Sequence, residues 1–246
     1  MQRIFIKGIK GGIGSTSVVA NLACVLKKSD VDVVAIDLDA KSDLGLHFGL
    51  KWTATKGWSN ESTFDDALLH FRKDSDGVLF LPHGDNEATL DEIIATINNC
   101  KKLDYKESAW ILFDCPSHIN ISHYPSHINI SHYPLEENDI VIELVTCDAI
   151  CHSLIYKRLQ TLKSVESSWK HFFVVNRYNA ASVLEFDLFS LWQSTLPFMA
   201  PFFINSDEVI KEATANRNVA LNCAPYSVAN DDFETLAGWL VSKAAN

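Results

Sequence analysis

A run of glycines, hydroxyl residues and one lysine lies close to the start of the chain, at 8–17, and reads Gly-Ile-Lys-Gly-Gly-Ile-Gly-Ser-Thr-Ser. Glycine lets the backbone approach an anion closely, and successive N–H groups can then point at the same oxygen atoms. A helix-length segment follows, and the partial positive charge of a helix N-terminus adds to the attraction. The pattern predicts a phosphate-binding loop. Its expected contacts are Gly11, Gly12, Ile13, Gly14, Ser15, Thr16 and Ser17.

The loop departs from the general phosphate-loop pattern GxxxxGK[ST] at two fixed positions. Ile9 occupies the place of the first glycine, and Ser15 occupies the place of the lysine. Thr16 keeps the hydroxyl that binds Mg²⁺ in such loops. On the loop alone, a segment that no longer holds phosphate is the alternative.

Two other motifs place carboxylates directly after apolar runs. Ile-Asp-Leu-Asp at 36–39 contains Asp37 and Asp39, and Trp-Ile-Leu-Phe-Asp-Cys-Pro at 110–116 contains Asp114. Parallel strands end at one edge of a sheet, and open α/β sheets bind ligands at that edge. We therefore expect these three carboxylates to lie beside the glycine loop.

The spacing Lys-Gly-Gly-x-Gly-x-Thr-Ser resembles the deviant Walker-A loop of the ParA/MinD ATPase superfamily. In that superfamily an early lysine reaches across a dimer interface to the partner's nucleotide, and the resemblance gives this binding and catalytic role to Lys10. The Asp-x-Asp and Asp-x-Pro motifs resemble its switch I and switch II. The resemblance implies that Asp37 and Asp114 belong to the Mg²⁺ site, with turn capping as the alternative for Asp37. It also implies that Asp39 orients the attacking water.

The run Phe-Phe-Val-Val-Asn-Arg at 172–177 predicts a strand that ends at Asn176. In the ParA/MinD superfamily an asparagine at this place reads the adenine edge, so the resemblance makes Asn176 a base-binding residue. An Asx turn is the alternative.

The elements that must position these residues alternate between short apolar runs and helix-length segments. This order is typical of right-handed βαβ crossovers and an open sheet. Strands are predicted at 3–6, 31–36, 78–81, 109–113, 140–145, 172–175 and 201–204. Helices are predicted at 15–28, 90–102, 150–162, 182–192, 208–215 and 231–244. We expect an α/β, P-loop NTPase-like three-layer fold with a mostly parallel central sheet, formed by a single nucleotide-binding domain over 1–246.

The composition limits the class of protein further. Hydrophobic residues make up 47% of the chain, enough for a sizeable core, and the formal net charge is −10. The negative average field opposes nucleic-acid binding. The chain opens without a signal peptide and has no apolar run long enough to span a bilayer, and its 6 cysteines form no CxxC pair. We expect a cytoplasmic protein with reduced thiols and no direct membrane insertion.

A nonapeptide, Pro-Ser-His-Ile-Asn-Ile-Ser-His-Tyr, occurs at 116–124 and again at 125–133. Two copies of this length do not make a repeat fold, and a local duplication of the coding sequence explains them better. Its histidines are His118, His123, His127 and His132. They suggest a metal site, but no carboxylate or thiol is spaced with them, so we do not expect one.

Several short segments along the chain resemble the BcsQ family, which is encoded with bacterial cellulose synthase. They are Lys-Gly-Trp at 56–58, Leu-Pro-His-Gly at 81–84, Cys-Asp-Ala-Ile-Cys-His at 147–152, Ser-Asp-Glu-Val at 206–209 and Leu-Ala-Gly-Trp at 236–239. That family also replaces the Walker lysine by a small hydroxyl residue, as Ser15 does here. It has a single, shorter segment where this chain has the duplicated nonapeptide.

The BcsQ resemblance implies a switch protein that binds ATP or ADP with Mg²⁺, forms a homodimer around ATP and hydrolyses it slowly or not at all. It implies regulatory subunits of cellulose secretion as partners, and recruitment to the inner face of the membrane by the synthase complex. A ParA/MinD-type partition or positioning ATPase and a nucleotide-free structural pseudo-ATPase are the alternatives. Against the positioning role, the end of the chain at 233–245 contains one lysine, whereas a membrane-surface helix needs a basic face.

Overall fold

A computed structural model describes residues 1–103, 108–119, 134–162 and 169–245. Eight strands form one sheet within these ranges. They are β1 Gln2–Gly8, β2 Val33–Asp37, β3 Arg72–Lys73, β4 Leu79–Leu81, β5 Trp110–Asp114, β6 Ile140–Val145, β7 Lys170–Tyr178 and β8 Met199–Asn205. The strand order is β3-β4-β2-β5-β1-β6-β7-β8. All neighbouring strands run parallel except β3, which is antiparallel to β4 at the edge.

Helices cover the sheet, and they follow the strands in the expected alternation. In the described residues they are α1 Ser15–Lys28, α2 Leu44–His47, α3 Phe64–Ala67, α4 Leu90–Asn99, α5 Ala149–Leu162, α6 Val183–Thr195, α7 Glu208–Ala215, α8 Ala220–Cys223 and α9 Val228–Ala244. Short 3₁₀ turns add Trp58–Asn60, Leu68–His70 and Cys100–Lys102. The predicted α/β fold with a mostly parallel sheet is confirmed.

Apolar layers cover both faces of the sheet, so its central strands are almost completely buried. In β1, Ile4 and Ile6 face the layer that contains α1 and α9, whereas Phe5 faces the opposite layer, which contains α4. A parallel strand between two layers of helices needs apolar residues on both sides. The near-continuous apolar runs in the sequence have this cause.

Some element boundaries differ from the prediction. The strand predicted to end at Asn176 continues to Tyr178, because the Tyr178 ring stacks on Phe203 with centroids 3.9 Å apart and its backbone pairs with β8. Asn176 therefore lies inside β7. The sequence does not predict β3, because Arg72 and Lys73 are both exposed and charged, and the strand has no apolar alternation to reveal it.

The three central strands β1, β2 and β5 end at one edge of the sheet. Ile6 pairs with Asp114 across β1 and β5, and Asp37 pairs with Asp114 across β2 and β5. From β1 the chain crosses over β5 to β2, whereas β6 lies on the other side of β1. The loop after β1 therefore opens at a position where open α/β sheets hold ligands.

Candidate functional site

The glycine loop 8–14 leaves β1 at this edge and turns into α1. The amide of Ile9 donates to Leu144 O at 2.9 Å and prolongs the pairing of β1 with β6. Gly12 and Gly14 have φ angles of 79° and 98°, which glycine adopts without a steric penalty. Gly14 is the N-cap residue of α1, and within the part of the chain that the structure describes no side chain caps the first turn. The amides at such a helix start can bind an anion.

Lys10 extends from the loop towards the start of α5. Its Nζ donates to Asp148 Oδ2 at 2.8 Å, and this hydrogen bond raises the pKa of Lys10. Asp148 also accepts from Thr146 Oγ1 at 2.5 Å and from the Cys151 amide at 2.9 Å. Burial opposes ionisation of Asp148, but the Lys10 and Thr146 bonds outweigh it and hold the pKa of Asp148 well below its usual range. In this subunit, Lys10 is thus paired within its own chain.

Asp37 closes β2 and is completely buried. Its two carboxylate oxygens accept the amides of Asp39 and Leu44 at 3.0 and 3.1 Å. This is the turn-capping arrangement that the sequence offered as an alternative. Burial, followed by the charge of Asp114, raises the pKa of Asp37 well above its usual range. Its place in a Mg²⁺ shell stays a prediction.

Asp114 closes β5 beside Asp37 and is 1% exposed. Among the described residues neither of its carboxylate oxygens has a hydrogen-bond partner. Burial raises its pKa to about 7, which the nearby Thr16 hydroxyl partly offsets. The oxygens of a buried carboxyl group normally have hydrogen-bond partners, so the absence of partners for Asp114 among the described residues needs an explanation.

A hydrated Mg²⁺ ion would explain this absence. The ion prefers oxygen ligands and usually keeps several of its waters, so a single carboxylate and one hydroxyl suffice on the protein side. Asp114 supplies carboxylate oxygens that have no hydrogen-bond partner among the described residues, and Thr16 supplies a hydroxyl near them at the start of α1. A nearby divalent charge would favour the ionised form of Asp114, which burial alone disfavours.

Asp39 lies at the rim of the same group, close enough for its charge to raise the pKa of Asp114. Its amide is held by Asp37, and its Oδ1 accepts the Lys41 amide at 3.1 Å. The structure therefore brings together the three carboxylates that the sequence singled out. Whether Asp39 orients a water stays a prediction.

Asn176 approaches the loop from β7. It is 4% exposed, and its Nδ2 donates to Ile13 O at 2.8 Å, so it ties β7 to the glycine loop. A cavity of about 440 Å³ opens beside it, between the loop, the end of β8 and α7. The cavity is lined by Gly14, Ser17, Val18, Asn176, Arg177, Asn205, Ser206, Asp207, Ile210, Lys211, Thr214, Ala215 and Phe233. Its position next to the loop suits a group joined to the bound phosphates.

Ser17 connects the loop to α2 through His47. The Ser17 hydroxyl lies 3.5 Å from His47 Nε2, and the Thr214 hydroxyl lies 3.4 Å from His47 Nδ1. Burial lowers the pKa of His47 to about 4, so the ring is neutral at physiological pH. Sequence reasoning missed His47 because a lone histidine in a short helix forms no motif. It also assigned no role to Asp148, although the quoted segment 147–152 contains it.

The duplicated nonapeptide falls mostly outside the described residues. Of its histidines only His118 lies within them, so the structure gives no account of His123, His127 or His132. Within the described ranges, no group of three or more histidine, cysteine, aspartate or glutamate side chains is arranged so that it could hold a metal ion by itself. A Cβ on Gly11 would lie 3.7 Å from Ser117 Oγ, so the first copy begins directly beside the glycine loop.

Comparison with protein families gives a match over almost the whole chain. The sequence model described as Cellulose biosynthesis protein BcsQ matches residues 1–241. The chain belongs to the BcsQ family. BcsQ of Escherichia coli (strain K12) is 24% identical over 252 residues, covering 97% of this chain and 94% of that protein. BcsQ of Salmonella typhimurium is 25% identical over 251 residues, with the same two shares covered.

Solved structures with the same fold include ATPases of the MinD and ParA type. MinD of Aquifex aeolicus has a TM-score of 0.73 at 20% identity, covering 98% of this chain and 97% of that chain. MinD of Pyrococcus horikoshii, solved with Mg-ADP, has a TM-score of 0.66 at 21% identity, covering 97% and 95%. A plasmid partition protein of Borrelia burgdorferi, solved with AMPPNP, has a TM-score of 0.73 at 16% identity, covering 98% and 99%. At these low identities, the TM-scores show a shared fold and nothing beyond it.

Across the residues that the structure describes, none of the helices combines the length and hydropathy that a bilayer crossing requires.

Proposed function

We propose that this BcsQ-family protein is an ATP-binding, Mg²⁺-dependent switch that dimerises around the nucleotide and supports bacterial cellulose biosynthesis. The observation that carries the proposal is the buried Asp114 carboxylate: among the residues that the structure describes, its two oxygens have no hydrogen-bond partner, and the nearby start of α1 has no side-chain cap. Such a pair of features suits a phosphate with its Mg²⁺ ion. We further infer that the eight-stranded sheet is the core of one nucleotide-binding domain.

The glycine loop holds the phosphates, with Gly11 to Thr16 donating backbone amides. Thr16 and Asp114 hold Mg²⁺, which neutralises phosphate charge when bound. The base and ribose occupy the 440 Å³ cavity beside Asn176. The MinD of Pyrococcus horikoshii, which has the same fold, was solved with Mg-ADP.

Ser15 supplies no cation at the position where most phosphate loops have lysine. A charge-assisted hydrogen bond contributes about 1.5–3 kcal/mol, so its loss weakens affinity by roughly one to two orders of magnitude unless Lys10 compensates. Stabilisation of the transition state falls by a similar factor. Slow or absent hydrolysis, with the ATP-bound dimer as the working state, follows from this deficit.

Lys10 offsets part of this deficit in trans. In the single subunit it is paired with Asp148 at 2.8 Å, and both side chains are about one-third exposed, so the lysine can leave this partner for a phosphate. Dimer formation around ATP then places each Lys10 against the other subunit's nucleotide. The match to the cellulose biosynthesis protein BcsQ supports this part of the proposal, in which the partners of the switch are regulatory subunits of cellulose secretion at the inner face of the membrane.

Binding of a fluorescent ATP analogue, with and without Mg²⁺, tests the proposal first. The wild type should bind with Mg²⁺, and Thr16→Ala should bind at least about tenfold more weakly. Sedimentation with ATP should then show dimers of the wild type and single subunits of Lys10→Ala. Lys28→Ala is the matched control, because it removes a lysine at the far end of α1, about 20 Å from the loop. Equal dimer populations with and without ATP would refute a dimer that forms around the nucleotide, and no binding at all would favour a structural pseudo-ATPase.

A further inference from the structure

Two segments that the proposed nucleotide chemistry does not use meet beside the end of β2. They are the turn at 57–60 and the loop at 82–84, which follows β4. The Trp58 amide donates to Pro82 O at 3.1 Å, and the Ser59 amide donates to His83 O at 2.8 Å. A Cβ on Gly57 would overlap both Pro82 O and the Gly84 amide, so the two backbones touch directly. We call this pair of segments the switch I clamp.

The clamp reaches switch I through the side chain of Trp58. Its indole Nε1 donates to Asp37 O at 2.7 Å, and the residue is 4% exposed. The ring rests edge-on against His83, with centroids 4.7 Å apart, and burial lowers the pKa of His83 so that this support is uncharged at neutral pH. The carbonyl of Asp37 lies in the plane of the peptide that joins Asp37 to Leu38. By holding this carbonyl, Trp58 sets the direction in which the chain leaves β2 towards Asp39.

A second contact holds the far side of the same turn. The Gly84 amide donates to Ser42 Oγ at 3.1 Å, and the Ser42 amide donates to Asp39 O at 2.9 Å. Ser42 has a φ of 54°, a left-handed conformation that side chains other than glycine adopt only when neighbours hold them. Gly84 itself has a φ of 102° and no room for a Cβ, which would overlap Asn60 Oδ1. The clamp therefore holds the chain on both sides of Asp39, at Asp37 and at Ser42.

We propose that Trp58 is a positioning residue of switch I, whose indole N–H fixes the peptide after Asp37 and thereby the direction of Asp39. If switch I moves between nucleotide states, the clamp must move with it. This consequence for the clamp rests on the proposed function, whereas the positioning of Asp39 by Trp58 does not.

Amide hydrogen exchange of the nucleotide-free full chain tests the positioning. Trp58→Phe keeps an aromatic ring and removes the N–H, and Trp52→Phe is the matched control at a tryptophan that is 80% exposed. In Trp58→Phe the amide hydrogens of Asp39 and Leu44 should exchange roughly five- to tenfold faster than in the wild type, because one hydrogen bond is lost. The exchange rates of the amides in β2 should stay unchanged. Unchanged exchange at Asp39 and Leu44, or an equal rise in β2, would overturn the proposal. If Trp58→Phe does not fold, benzothienylalanine at position 58 keeps the indole shape, replaces the N–H by sulfur, and is judged by the same two outcomes.

Nucleotide measurements separate this proposal from the proposed function. With Mg²⁺ present, Trp58→Phe should bind the fluorescent ATP analogue within about twofold of the wild type. In the wild type, exchange of the Asp39 amide should differ between ATP and ADP, and Trp58→Phe should lose this difference. A parallel loss of affinity would make Trp58 a general fold residue and overturn the positioning role. If the wild type binds no nucleotide, the proposed function fails, while exchange in the nucleotide-free chain still decides the role of Trp58.

Discussion

Asp114→Asn should stabilise the nucleotide-free protein above neutral pH and at the same time remove its response to Mg²⁺ and ATP. The wild-type carboxylate is fully buried without a hydrogen-bond partner in the described structure, and its pKa lies at about 7. At pH 8 the folded protein has to hold this charge in a buried site. An asparagine of the same shape carries no charge there.

The size of the effect follows from the two pKa values. A folded-state pKa of about 7 against the ordinary 3.8 destabilises the fully ionised protein by about 4 kcal/mol, at 1.36 kcal/mol for each pH unit. Because the folded pKa is raised, the destabilisation is absent below about pH 3.8 and grows until the pH passes 7. Between pH 5 and pH 8 the wild type should lose about 2–3 kcal/mol relative to the variant.

Urea unfolding of both proteins at pH 5, 6, 7 and 8 measures this difference, and the change with pH cancels any constant offset from the amide. Asp187→Asn, at an exposed carboxyl on α6, is the control and should give a nearly constant difference. Mg²⁺ with ATP should raise the wild-type stability at pH 8 and leave Asp114→Asn unchanged. A gap between wild type and variant that stays constant from pH 5 to 8 would refute the buried, unpaired carboxylate.

Two further predictions concern the loop and the interior. Gly14→Ala should cost about 1–2 kcal/mol by denaturant unfolding, because φ is 98° there and the new Cβ would lie 3.1 Å from Asn176 Nδ2; an unchanged stability would contradict the left-handed cap. The second prediction concerns Glu143, which is buried in β6. Burial disfavours its ionised form, but the hydrogen bond from His171 and the charge of Arg158 outweigh this effect and lower the pKa of Glu143 to about 2. The stability that ionised Glu143 contributes is complete above pH 4.5 and is lost as the pH falls through 2. Between these pH values the free energy of unfolding should therefore fall by roughly 3 kcal/mol less in Glu143→Gln than in the wild type. Parallel acid curves for the two proteins would contradict that pairing.

The sequence predicts best those features that depend on local pattern. Strands between two layers of helices are mostly apolar, so β1, β5 and β6 are visible as apolar runs although β1 and β6 also hold the buried Arg3, Lys7 and Glu143. Helix α1 is predicted at its observed ends, because a glycine turn precedes it and its last turn holds two lysines. The edge on which Asp37 and Asp114 lie follows from parallel strands alone.

Features that depend on contacts between distant segments could not be predicted. Nothing local indicates that Lys10 pairs with Asp148, or that Trp58 donates to Asp37 O, because each bond joins segments far apart in the chain. The end of β7 was misplaced for the same reason, since Tyr178 joins the strand through its ring contact with Phe203. The family segments at 56–58 and 81–84 are visible in the sequence, but their shared purpose appears only where their backbones touch.

The pairing of Lys10 with Asp148 has a further consequence for the proposed dimer. Two subunits that join around ATP each have to release one such pair, so its contribution enters the dimerisation constant twice. An exposed pair contributes about 0–1 kcal/mol, and two of them lower the dimerisation constant by up to about thirtyfold. A stronger contact between Lys10 and Asp148 therefore raises the protein concentration at which single subunits associate.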